Sequence, residues 1–310
     1  MGGGCPRQLK REMLAVAAQM QEANRLAEVS GERVVLPLPG RGIEMIWYAA
    51  RSLHAPLLLA FHGGGFLFGG NALNEAMWRA LCDALDVNVA SIGYRKSPEH
   101  KFRAGLEDAF DALAHLRAHA GEYGFDPSRI WAFGCSAGAN LAATLCIYIK
   151  QRGAGQIRGQ ILFYPVLDFS VDPAEKGDGS LAQPLQYLFD ELHFDPQDAR
   201  LPILSPACAQ AQELEGLPEA IFFPAAHDSL KTEALRYADL LGEAGVKTTV
   251  HVAEDMPHGF FEVGFGQVSD AELEILGPEV GQKVQDGSIP AYCQTVLEVL
   301  KGLLFWPEPD

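Results

Sequence analysis

"WAFGCSAGANLAATL", residues 131 to 145, is the stretch on which the reading of the fold turns. Its first part is an apolar run with aromatics, its last part an alanine-rich helical stretch, and between them Gly134 and Gly138 flank Ser136 symmetrically. A Gly-x-Ser-x-Gly turn from strand to helix holds a serine hydroxyl clear of the sheet. The turn is sharp, so the residues on either side must lack bulk. The pattern alone fits a serine that merely starts a helix about as well. Cys135 is a second conceivable nucleophile, but the glycine frame centres on Ser136, and Cys135 reads as a small buried apolar residue.

Apolar runs of strand length recur outward from this stretch. They lie at 32–38, 43–49, 56–62, 87–94, 129–135, 160–165, 220–226 and 247–253, and from the third onward helical patterns separate them, at about 73–85, 104–121, 137–151 and 229–244, with a last one at 290–304. The fold class expected is therefore α/β: a mostly parallel eight-stranded sheet with helices on both faces and an antiparallel hairpin from the first two runs at one edge. Two segments stand outside the alternation, an amphipathic helix at 8–29 and a polar insertion at 169–203 around "LQYLFDELHF". Each has an apolar stripe to bury, so residues of about 1–30 and 169–203 are expected to form a small helical cap on a single domain spanning 1–310.

A serine nucleophile needs a base, and the base an orienting acid. "FFPAAHDSLKTEA" places Asp228 just beyond the seventh run, and "EDMPHGFFE" places His258 just beyond the eighth. All three residues then lie at carboxyl ends of strands, where sheets of this kind bind ligands. His227 faces the other way on an extended chain, and His115 and His119 have Leu116 where a metalloprotease helix needs Glu, so no metal site is expected. "GDGSLA" at 177–182 matches a dinucleotide fingerprint formally, but it follows no strand.

The glycines of "HGGGF" at 62–66 suit either a phosphate cradle or an oxyanion site. Phe68 stands where a dinucleotide fingerprint needs its third glycine, and no Gly-Lys-Ser/Thr follows. The oxyanion reading fits better: bare backbone N–H groups stabilise charge that develops on a carbonyl oxygen under attack. Loss of one such donor costs about 3 kcal/mol, or roughly 10²–10³ in rate.

A net charge of −16 argues against nucleic-acid partners, which require clustered Lys and Arg. The six cysteines lack zinc-site spacing or the density of a disulfide scaffold, and the first twenty residues read as neither a secretory leader nor a span. A cytoplasmic protein without membrane contact is the expectation.

The combination resembles the hormone-sensitive-lipase-like, HGGG-type family of α/β-hydrolase esterases, which includes many bacterial carboxylesterases and acetyl esterases. The resemblance rests on "HGGGF" (62–66), "YRKSPEHKFRAGLEDA" (94–109), "GCSAG" (134–138), "YPVLD" (164–168), "LSPACAQAQELEGLP" (204–218), "HDSLKTEALRYADLL" (227–241) and "HGFF" (258–261). It implies the α/β-hydrolase fold, with the chain order Ser, Asp, His typical of it. Ser136 is implied as nucleophile, Asp228 as acid and His258 as base. Gly64, Gly65 and Ala137 are implied as oxyanion donors, with Gly63 giving the loop its room and His62 fixing it. Tyr94, Pro98, Glu99 and His100 match a segment read as scaffolding beneath that loop. Three departures from the pattern stand out. Cys135 stands where Asp is common; Lys96, Lys101 and Arg103 replace apolar or proline positions; and the stretch 262–290 is longer than usual, with a lid, an oligomer contact and a surface excursion all open.

The expected activity is hydrolysis of small, short-chain carboxylic esters through an acyl-enzyme, with no cofactor. An amidase or peptidase with the same triad is the first alternative, and a non-catalytic small-molecule-binding relative the second. Such relatives have lost the catalytic histidine, whereas His258 is present. Homo-oligomer formation is left open.

Overall fold

The computed structural model describes residues 5–38, 40–266, 273 and 275–304. Ten strands are found among them: β1 (Glu32–Leu38), β2 (Arg41–Tyr48), β3 (Ala55–Phe61), β4 (Asn88–Gly93), β5 (Phe125–Cys135), β6 (Gly159–Phe163), β7 (Glu219–Phe223), β8 (Ala225–His227), β9 (Thr248–Val250) and β10 (Ala253–Pro257). The helices are α1 (Arg7–Leu26), α2 (Glu75–Leu85), α3 (Phe102–Ala118), α4 (Ala120–Tyr123), α5 (Ala137–Arg152), α6 (Gln183–His193), α7 (Ala211–Leu214), α8 (Lys231–Glu243), α9 (Phe260–Val263), α10 (Pro278–Gln285) and α11 (Ser288–Leu304).

Eight strands form one sheet in the order β1-β2-β4-β3-β5-β6-β7-β9. The pairs β1/β2 and β2/β4 are antiparallel, and every other pair in it is parallel. Alternation of side chains explains why the inner strands are apolar throughout. Leu57, Leu59 and Phe61 of β3 join Leu106, Leu113 and Leu145 on one face, while Leu58 and Ala60 join Trp78, Leu81 and Leu297 on the other. β5 splits the same way, Ile130 and Ala132 to the first face, Trp131 and Phe133 to the second.

The structure corrects three of the expected segments. Residues 220–226 and 247–253 are not single strands: Pro224, which has no N–H to give, separates β7 from β8, and β9 is likewise separated from β10. β8 and β10 form a second, two-stranded parallel sheet. The first helix ends at Leu26 rather than 29, where the Arg33 guanidinium takes the carbonyl oxygens of Asn24 and Ala27.

Both segments outside the alternation meet over the glycine loop. Met13 of α1 clusters with Leu185, Leu188, Phe189 and Leu192 of α6, and with Leu67 and Phe68. Residues 1–4 of the N-terminal segment, and 267–272 and 274 of the long 262–290 stretch, lie outside the described residues. Among the described part of that stretch, Ile275 and Leu276 line one cavity with Met20, Gly63, Gly64 and Phe68.

Candidate active site

Sheet register brings the first two components together. β3 pairs with β5 so that Phe61 lies opposite Gly134, and the chain leaving β3 at His62 therefore emerges beside the chain leaving β5 at Ser136. Ser136 has φ 52° and ψ −117°, a conformation strained for a residue with a side chain, and its N–H donates to the Phe163 carbonyl at 2.9 Å. The flanking glycines are required by contact. A Cβ on Gly134 would lie 2.1 Å from the carbonyl oxygen of Gly138, and one on Gly138 would lie 2.1 Å from that of Phe61.

The two-stranded sheet brings in the others. β8 ends at His227 opposite Pro257, the last residue of β10, so Asp228 and His258 follow adjacent strand ends. The Asp228 Oδ2 to His258 Nδ1 distance is 2.7 Å, and His258 Nε2 stands 2.9 Å from Ser136 Oγ. A carboxylate only accepts, so Nδ1 carries the proton and Nε2 offers its lone pair to the serine hydroxyl. Asp228 Oδ1 accepts from the Leu230 N–H at 3.0 Å, and the His258 N–H donates to Ser180 Oγ at 2.7 Å. All three side chains are buried. Burial pushes the His258 pKa down, but the Asp228 carboxylate, with Glu262 and Glu233 beyond it, outweighs this and raises it above the ordinary histidine value.

The glycine loop turns through Gly64 at φ 104° and Gly65 at φ 59°. A Cβ on Gly64 would strike the Phe68 main chain at 2.7 Å, and one on Gly65 the Phe189 ring at 2.4 Å. The Gly63 N–H is committed to Glu262 Oε1 at 3.0 Å. The N–H groups of Gly64, Gly65 and Ala137 make no hydrogen bond to the described residues. Burial holds His62 neutral, its pKa pulled down to about 3, so its Nδ1–H donates to the Gly63 carbonyl at 2.7 Å. The Tyr94 ring stacks on His62, and its hydroxyl donates to the His62 carbonyl at 2.8 Å.

Cys135 is fully buried, and burial pushes its thiol well above the usual range, which suits a packing residue and not a nucleophile. Of the cationic departures, Lys96 donates to the carbonyl oxygens of Phe68 and Gly69, Lys101 pairs with Asp195, and Arg103 lies over the Phe102 ring. His227 pairs with Glu279 at 2.8 Å, away from His258. The "GDGSLA" segment packs against the chain at Asp228 and Ser229: a Cβ on Gly179 would lie 2.2 Å from the Ser229 nitrogen.

Sequence reasoning missed two sets of residues. One is Glu262, which also accepts from Asn74 Nδ2 at 3.0 Å. The other is the group Lys176, Gln186 and Asp190, which lines a cavity shared with Ser136 and Gly65. Neither set forms a spacing pattern along the chain.

The family model of the α/β-hydrolase fold matches residues 58–262. The esterase LipI of Mycobacterium tuberculosis is 34% identical over 224 residues, covering 71% of this chain and 69% of the relative. The carboxylesterase NlhH of the same species is 31% identical over 244 residues, covering 76% and 75%. Among solved structures, the thermostable carboxylesterase EstE1, cloned from a metagenomic library, superposes with a TM-score of 0.72 at 30% identity, covering 91% of this chain and 97% of that one. The chain belongs to this family, the hormone-sensitive-lipase-like carboxylesterases of the α/β-hydrolase fold. No helix among the described residues is long and apolar enough to cross a membrane.

Proposed function

We propose that the protein hydrolyses carboxylic esters with short acyl chains, with Ser136 as nucleophile, His258 as general base and acid, and Asp228 as its orienting partner. The observation that carries this reading is the buried Asp228–His258–Ser136 hydrogen-bond chain, at 2.7 and 2.9 Å. Ser136 Oγ attacks the ester carbonyl as His258 Nε2 takes its proton. The carbonyl oxygen, now an oxyanion, is received by the N–H groups of Gly64, Gly65 and Ala137. His258 returns the proton to the departing alcohol, leaving an acyl-serine. Water then repeats the sequence, releasing the acid and restoring Ser136. Asp228 holds the imidazole in the productive tautomer and stabilises the imidazolium that forms.

The short-chain preference is supported by the cavity beside Ser136, about 30 Å³ in volume. That is room for roughly two or three non-hydrogen atoms, given that a water needs about 10–15 Å³ on the same measure. In this reading the chain is one domain, with α1 and α6 forming a cap over the glycine loop. Six unpaired thiols support a reducing, cytoplasmic compartment.

A rate series over p-nitrophenyl esters tests the reading. Specificity should peak at two to four acyl carbons, with a burst of one p-nitrophenol per chain. Ser136→Ala should fold and lose at least about 10⁴ in kcat. Persistence of ester cleavage in that variant would sink the assignment.

A further inference from the structure

The wall of the cavity beside Ser136 is mostly apolar, including Val166, Phe169, Leu181 and Phe189, yet it also carries Lys176, Gln186 and Asp190. A purely hydrocarbon acyl group gains nothing from such groups, and a buried polar atom left without a partner is destabilising. Gln186 is 6% exposed, and its Nε2 donates to the Leu181 carbonyl at 3.1 Å and to Ser229 Oγ at 3.2 Å. The Leu181 carbonyl can only accept, so the amide is fixed in this orientation. Its Oε1 is left buried with no partner. Asp190 makes no hydrogen bond to the described residues, and burial pushes its carboxyl up to about 7. The Lys176 ammonium, 5% exposed, sits 2.8 Å from Glu233 Oε2, which takes one of its three N–H groups.

The cavity thus holds unspent acceptors and an unspent donor together. A carboxylate entering it meets Asp190, and an ammonium meets Lys176. A neutral hydroxyl both donates and accepts. Ser136 and Gly65 line the cavity and His258 does not. Because the leaving oxygen must stay against His258 Nε2, the acyl half points inward.

We propose that this cavity is an acyl subsite for a short hydroxyacyl group, whose hydroxyl donates to Gln186 Oε1 or Asp190 and accepts from Lys176. The assignment rests on Ser136 being the nucleophile.

The test compares p-nitrophenyl butyrate with p-nitrophenyl 3-hydroxypropanoate, which exchange a terminal methyl for a hydroxyl at equal chain length. The readout is the ratio of their kcat/KM values, each corrected for the ester's alkaline hydrolysis rate. The native chain should favour the hydroxy ester at least tenfold, and Gln186→Leu should bring the ratio near one. Asp190→Asn serves as a second variant and should also lower the ratio. A native ratio of one or less overturns the proposal, as does a preference that survives both substitutions. Cleavage of neither ester overturns the Ser136 reading and this one with it, whereas equal cleavage of both overturns this one alone.

Discussion

Glu262 Oε1 accepts a hydrogen bond from the Gly63 N–H at 3.0 Å, so a residue four positions after His258 fixes the glycine loop that follows β3. The same oxygen accepts from Asn74 Nδ2, and the Glu262 N–H contacts the Tyr164 hydroxyl. Glu262 is thus a positioning residue for the proposed oxyanion donors. Displacement of a preorganised group by about 1 Å can cost roughly 10² in rate. Glu262→Leu should therefore lower kcat by about that factor with little change in KM, and Glu262→Gln, which keeps the acceptor oxygen, should recover most of it. Steady-state kinetics on one short ester would decide the point. A rise in KM at constant kcat would contradict it.

The pH profile follows from the direction of the His258 shift. As the proposed base, His258 must be neutral to take the serine proton, and its raised pKa means that the protonated form persists above the ordinary value of about 6.5. Accordingly kcat/KM should fall as pH drops through an inflection above 6.5. Glu262→Gln removes one of the charges that raise it, so its inflection should lie lower. A profile that stays flat down to about pH 4 would contradict the base assignment.

Gly64 and Gly65 should differ in how they tolerate a methyl group. At Gly65 the added Cβ meets the Phe189 ring, which is removable. Gly65→Ala should lose about 10² or more in kcat, and adding Phe189→Ala should restore part of it. At Gly64 the obstacle is the Phe68 main chain, so Gly64→Ala should find no comparable rescue. A double-mutant cycle on kcat is the measurement.

Gly138→Ala tests the elbow's packing apart from its chemistry. The new Cβ would lie 2.1 Å from the Phe61 carbonyl, and both backbones belong to the core of the molecule. The expected cost is about 3 kcal/mol or more. Urea denaturation of Gly138→Ala in a Ser136→Ala background would read it free of any effect on turnover.

The elbow and the sheet were legible because they depend on local signals: alternation of apolar runs with helical periods, and glycines on both sides of Ser136. Asp228 and His258 were legible because strand ends are where the chain must leave the sheet. The break that makes β8 and β10 a separate sheet was missed, although Pro224 inside "AIFFPAA" was its signal, since a proline removes a ladder donor. Glu262 and Gln186 carry no local signal. Their partners Gly63 and Ser229 lie 199 and 43 residues away, and only the folded chain brings them together.

The separate β8/β10 ladder gives the site a mechanical grain. Asp228 and His258 are spliced to one another through a small ladder of their own, while Ser136 is anchored in the eight-stranded sheet. Asp228 and His258 are therefore placed relative to one another by the β8/β10 ladder, and relative to Ser136 by the eight-stranded sheet, from which β7 runs into β8 across Pro224 alone.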